Sequence, residues 1–188
     1  MGSIKKELLS GVFYTAIAKY SGILISLIIT GVLARLISPD KFGIVAVVTV
    51  ITFFFSIFSD LGIGAAIIQN KELQQKDLNQ LFSFTVWSGC ILTLLFFLCS
   101  WPISFFYKEP SMKTITQLLA INLFFASANI VPNALLYKAK AFKFLAWRSL
   151  GVQVSGGIIA ILAALGGAGL YALIINPILS SILLFIIS

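Results

Sequence analysis

Six long apolar runs, separated by short polar joints, constrain this chain more than any other feature. They cover residues 11–36, 42–69, 78–106, 115–137, 144–165 and 170–187. The second is strongest from Phe42 to Ser59 and continues more weakly to Gln69. Each is close to the ~20 residues a helix needs to cross a hydrocarbon core. Transmembrane strands would be about 10 residues long and alternate in polarity, and these uniform runs do neither. Hydrophobic residues make up 60% of the chain, charged residues 10%, and mean hydropathy is +1.07. Soluble domains are about half apolar and about a quarter charged. The expected fold is therefore all-α: a polytopic membrane protein with six transmembrane helices in one bundle over residues 1–188.

The joints set the expected orientation. With the N-terminus in the cytoplasm, one side holds Lys5, Lys6, Lys71, Lys76, Lys138, Lys140, Lys143 and Arg148. The other holds Arg35, Lys41, Lys108 and Lys113, and Lys19 stays within the membrane. Positive charge favours the cytoplasmic side, so both termini are expected there. The net charge of +7 then reads as topology and anionic headgroups, because no basic, aromatic-interleaved segment marks nucleic-acid binding. The first run follows Lys5 and Lys6 as a signal peptide would. It is too long for one, carries Lys19 and lacks a small-residue cleavage site, so it is expected to remain. The ending "LLFIIS", inside the sixth run, reads as a fragment of a longer protein.

Polar residues inside the runs fall on faces. Thr15, Lys19, Gly22, Ser26 and Thr30 recur at steps of three and four, forming one stripe. Two readings of Lys19 stand. It snorkels to the interface, or it faces a wet cavity holding an anion, since a lysine in hydrocarbon costs several kcal/mol. The companion stripe favours the cavity. Asn122, Asn129 and Asn133 share a face of the fourth run, either as interhelical hydrogen-bonding groups or as ligand contacts. Arg148, Gly151 and Ser155 share a face of the fifth, and Thr49, Thr52, Ser56 and Asp60 a face of the second. Asp60 is the acidic residue nearest a span interior; the simpler reading is a helix-end residue at the interface, the other a cation or ion-pair site. Gly62 and Gly64 should loosen the end of the second run. Gly156 and Gly157 should admit close helix approach, and Pro132 and Pro177 should kink or interrupt their runs.

No catalytic constellation is present. The chain has no histidine, no paired carboxylates, no phosphate-cradling glycine loop and no metal-ligand spacing. No cofactor is expected, and an enzyme is not the expected class. Cys90 and Cys99 lie on opposite faces of one helix, which excludes a bridge between them; both read as core packing thiols.

The joint in "LARLISPDKFGIVAVV", followed by "FSDLGIGAAIIQNKEL", "DLNQLFSFTVW", "NALLYKAKAFKFLAWRSL" and "GAGLYALI", resembles bacterial Wzx-type polysaccharide flippases. These are the O-antigen and capsule exporters of the multidrug/oligosaccharidyl-lipid/polysaccharide superfamily, here of the branch with colanic-acid and teichuronic-acid exporters. The resemblance implies a multi-pass protein of the bacterial inner membrane that moves undecaprenyl-diphosphate-linked oligosaccharide between leaflets by alternating access. It implies two six-helix bundles, of which this chain holds the first, and cavity cations that hold the diphosphate. On that logic Lys19 and Arg148 are the candidate diphosphate ligands, Asn122 and Asn129 contact sugar or phosphate, and Asp60 is the candidate ion site. The implied partners are the lipid-linked oligosaccharide, membrane lipids, and glycan polymerase and ligase components. Two alternatives stand beside this reading: a non-transporting scaffold of a glycan-assembly complex, and a related lipid II or drug exporter. The joint itself reads as a tight hairpin. Pro39 ends the first helix, Ser38 or Asp40 caps the second, and Gly43 lets two striped helices pair antiparallel.

Overall fold

The computed structural model describes residues 2–188 except 61 and 71, with backbone only for residues 2–10 and 12. Lys71, counted above among the cytoplasmic charges, lies outside the described residues. The described residues form helices and turns, with no strand among them. The elements are α1 Gly2–Leu36, α2 Pro39–Asp60, α3 Ile63–Gln69, α4 Gln75–Tyr107, α5 Pro110–Ala128, α6 Ile130–Lys138, α7 Phe142–Leu165 and α8 Leu170–Ile186.

The apolar runs set the elements, and local chemistry sets their limits. Pro39 and Pro110 stand at the first positions of α2 and α5, where a missing N–H costs nothing. Gln74 and Asp77 form a capping box at the start of α4, with the Gln74 N–H donating to Asp77 Oδ2 at 3.0 Å. Two runs are each split in two. The second breaks where Gly62 takes φ +78°, a conformation that suits glycine. The fourth breaks at Asn129, three residues before Pro132. Proline has no N–H for the carbonyl one turn back, and its ring crowds that carbonyl. Pro177, by contrast, lies within an unbroken α8.

Five spans are long and apolar enough to cross a membrane: Phe13–Leu36, Pro39–Gln69, Gln75–Tyr107, Pro110–Lys138 and Phe142–Leu165. Leu170–Ile186 is apolar but has 17 residues, about 26 Å of helix. The protein is thus a polytopic helical membrane bundle.

Packing arranges the helices in an arc. α1 lies on α7, α7 on α8, and α8 on α5; α5 also packs on α2 and α4, and α3 packs on α6. The main core joins Val48, Phe96, Ile115, Leu119, Leu123 and Ile174. A second joins Ile29, Leu33 and Ile37 of α1 to Ala160 and Ala172. Gly156 and Gly157 admit close approach as expected: a Cβ on Gly156 would sit 2.5 Å from Asn176 Oδ1, and one on Gly157 would collide with Ile29. Cys90 is exposed and Cys99 half-buried. The core role expected of Cys90 is therefore corrected, because its face of α4 points away from α5.

The expected pairing of α1 with α2 is also corrected. The turn forms, and Phe42 packs beside Ile37 at its base, but the helices then part. The N-terminal half of α1 follows α7: a Cβ on Gly11 would sit 2.6 Å from the Phe142 ring, and Gln153 Nε2 donates to the Gly22 carbonyl at 2.9 Å. The C-terminal half of α2 follows α4 and α5, through the Phe55–Phe96 ring contact at 5.0 Å and the Ser127–Ser59 hydrogen bond at 2.9 Å. Gly43 faces open space and brings no helix closer. α1 and α2 therefore flank a crevice, narrow at their turn and wide at the other end.

Candidate functional site: the crevice and its buried arginine

At the wide end α6, the start of α7 and Ser188, two residues beyond α8, converge on Arg148. It sits one and a half turns into α7 and is 7% exposed. Its guanidinium donates to Asn133 Oδ1 at 2.7 Å and to Ser188 Oγ, while Nε has no partner. Ser188 Oγ in turn donates to Asn129 Oδ1 at 2.9 Å. The helix break places these amides: Asn129 caps α5, and Asn133 lies one turn into α6. Guanidinium is always charged and only donates. Among the described residues its side-chain partners are these neutral acceptors and no Asp or Glu pairs with it, so the charge is largely buried without a side-chain counter-charge. Such a group attracts an anion strongly.

The other candidates occupy three further places. Lys19 lines a cavity of about 280 Å³ with Thr15, Tyr137, Phe142, Leu145 and Ser149, on the seam of α1 and α7. Arg148 is not in its wall. Asn122 lines a pocket of about 200 Å³ with Thr49, Thr52, Ser56 and Pro177, where α2 parts from α8. There the stripes of the second and fourth runs meet. Asp60 is exposed at the end of α2, with Oδ1 beside Gly64, and lines none of these cavities. The structure therefore joins Arg148 to Asn129 in one network and leaves Lys19, Asn122 and Asp60 apart from it.

Sequence reasoning missed several contacts. Asn133 belonged to the amide stripe but was not among the ligand candidates, although it is a direct partner of Arg148. Asn176 and Ser180 of α8 bond each other at 3.1 Å; their spacing of four in the sixth run was the available signal. Ser188 borders another crevice, of about 410 Å³, whose wall includes Leu78, Phe82, Val131, Pro132 and Leu135.

Residues 32–188 match the family model described as "Polysaccharide biosynthesis protein". The chain belongs to this family. Among curated relatives, the lipopolysaccharide biosynthesis protein WzxC of Escherichia coli is 27% identical over 158 residues, covering 84% of this chain and 31% of the relative. The teichuronic acid biosynthesis protein TuaB of Bacillus subtilis is 28% identical over 121 residues, 64% of this chain and 25% of that protein. The succinoglycan biosynthesis transport protein ExoT of Rhizobium meliloti is 22% identical over 151 residues, 80% and 31% respectively. This family member spans about a third or less of the length of the curated relatives it matches. No solved structure shows a significant match. The spans and the relatives together make it a multi-pass protein of the bacterial inner membrane.

Proposed function

We propose that the intact protein is a flippase that exports lipid-linked oligosaccharide, built on an undecaprenyl-diphosphate carrier, during polysaccharide biosynthesis. The observation that carries this reading is Arg148: a buried cation with amide and hydroxyl partners and, among the described residues, no Asp or Glu paired with it. A diphosphate replaces Ser188 on the guanidinium and supplies the missing negative charge. Lys19, on the neighbouring seam, is the second cation. Asn129 and Asn122 offer amides to phosphate or sugar along the crevice. The apolar crevice beside Ser188 suits part of the isoprenoid chain, and the rest stays in the bilayer.

The wide end is also the most basic, with Lys138, Lys140 and Lys143 in one joint. The positive-inside tendency therefore makes it cytoplasmic, with both termini on that side. On this reading residues 1–188 form the N-terminal bundle and the crevice opens inward. Alternating access follows when this bundle rocks against a second one, closing the wide end and opening the narrow end. The exposed apolar faces of α1 and α2, including Leu24, Leu27, Phe53 and Ile57, suit such a partner bundle. Asp60, at the edge of the wide end, is the candidate site for a coupling ion. Glycan polymerase and ligase components are the expected neighbours in the membrane.

The test is export by the intact protein with Lys19→Ala or Arg148→Gln, read as surface glycan at matched protein level. Arg148→Gln should lower export to background, with lipid-linked precursor accumulating. Lys19→Ala should lower it at least several-fold. Normal export by both variants would sink the reading and favour the scaffold alternative.

A further inference from the structure

At the narrow end, far from Arg148, the turn between α4 and α5 carries two lysines among large aromatic side chains. Trp101, Phe105, Phe106 and Tyr107 close α4 and are all exposed, Phe105 at 86% and Phe106 at 79%. Aromatic residues at the end of an apolar span sit at headgroup level. The turn is held by reciprocal bonds: Ser104 Oγ donates to the Glu109 carbonyl at 3.0 Å, and the Glu109 N–H donates to the Ser104 carbonyl at 3.2 Å. The Glu109 carboxylate accepts from the Ser111 N–H at 3.3 Å. Lys108 adopts φ +53° at the end of α4. Lys113 lies near the start of α5 with Nζ 5.0 Å from the centre of the Trp101 ring. Ser104, Phe105, Lys108, Pro110 and Lys113 line one cavity of about 400 Å³. Among the described residues no carboxylate forms an ion pair with either lysine.

We infer that this cavity binds the headgroup of an anionic phospholipid. Two ammonium groups share one pocket while the one neighbouring carboxylate, Glu109, is turned to the Ser111 N–H and paired with neither, which favours an anion. The pocket wall includes Phe105, which sits with Phe106 at the membrane boundary, so a free anion would leave a large apolar surface beside it unmatched. A ligand with both a phosphodiester and acyl chains satisfies both halves. The phosphodiester lies between Lys108 and Lys113, with Lys113 aligned by its cation–π contact with Trp101. An acyl chain follows Phe105 down α4. The Ser104 hydroxyl, already donating to Glu109, keeps lone pairs for a headgroup hydroxyl such as that of phosphatidylglycerol.

Native mass spectrometry of the intact protein, titrated with phosphatidylglycerol or with zwitterionic phosphatidylethanolamine, tests this. The wild type should retain phosphatidylglycerol in preference. Lys108→Gln with Lys113→Gln should lose one bound phosphatidylglycerol, with affinity at that site weakened roughly tenfold or more. Arg35→Gln with Lys41→Gln, a basic pair at the same end of the bundle, should retain it. Where the double glutamine variant is unstable in detergent, Lys108→Arg with Lys113→Arg decides: retention supports the site, loss overturns it. Unchanged phosphatidylglycerol retention in the glutamine variant, or equal retention of phosphatidylethanolamine by the wild type, also overturns it.

Discussion

Replacing Arg148 separates a ligand site from a structural one, because the two roles predict opposite stability effects. Arg148 makes two hydrogen bonds, to Asn133 and Ser188. Hydrogen bonds to a charged group contribute about 1.5–3 kcal/mol each. Opposing them is the desolvation of a guanidinium that is 7% exposed, several kcal/mol even after relaxation. No carboxylate offsets that cost, and Nε is left unpartnered. Arg148→Gln removes the charge and keeps an amide for Asn133. The net change in stability should lie within about 1 kcal/mol of zero, a shift in midpoint of no more than about 4 °C. The assay is heating the purified intact protein in detergent and following the loss of folded monomer. Millimolar pyrophosphate should raise the wild-type midpoint and leave that of Arg148→Gln unchanged, since only a native state with an anion site gains from it. A fall of about 3–5 kcal/mol in the variant would match the loss of one partner from a buried pair. It would show that Arg148 holds the fold together, and the argument for an anion would fail.

Two further outcomes follow from the helix packing. Gly157→Ala places a methyl group against Ile29 and should destabilise the bundle by about 1–3 kcal/mol; Ile29→Ala in the same chain should recover part of that loss, read in the same melt. A cysteine at Lys76, exposed near the start of α4, with Cys90 and Cys99 changed to serine, should react with a membrane-impermeant maleimide only after spheroplasts are broken. Labelling in sealed spheroplasts would reverse the topology and make the crevice face outward.

The fold was legible because a bilayer leaves an apolar run of this length few options: the backbone must bond within its own helix. The breaks were legible too, since Gly62 readily adopts a left-handed turn and Pro132 lacks the N–H a continuing helix needs. What escaped was which helix packs on which. Pro39 marks the turn from α1 to α2, but a turn does not decide whether the helices it joins stay together. That depends on surfaces matched far along the chain. Gly11 receives Phe142, Gly157 receives Ile29 and Ser59 meets Ser127, partners separated in sequence by 131, 128 and 68 positions (142 − 11, 157 − 29, 127 − 59). The candidate site was legible to the same depth. The stripes named Arg148, Asn129 and Asn122 on separate faces; the fold joins the first two through Ser188 and sets Asn122 beside Thr49, Thr52 and Ser56. They could not show that Arg148 stays out of the cavity Lys19 lines, because both belong to helices whose relative rotation is set by those distant contacts.

The chemistry of the stripes explains how polar side chains are accommodated inside the apolar bundle. Its hydroxyls bond mostly to their own helices: Thr15 to the Gly11 carbonyl, Thr52 to Val48, Ser56 to Phe53 and Ser155 to Val152, all between 2.7 and 3.0 Å. Each donor is satisfied within one turn, so none is left unmet in hydrocarbon and none ties one helix to another. The oxygen lone pairs remain for a guest. The amides behave differently. Gln153 reaches across to α1, Asn133 to α7, and Asn176 packs against Gly156 of α7. These four hydroxyls thus give a polar lining that leaves the helices free to shift, while the amides, with the Ser127–Ser59 pair, fix points where helices stay together. On the flippase reading proposed above, such a lining suits a wall that moves between two states.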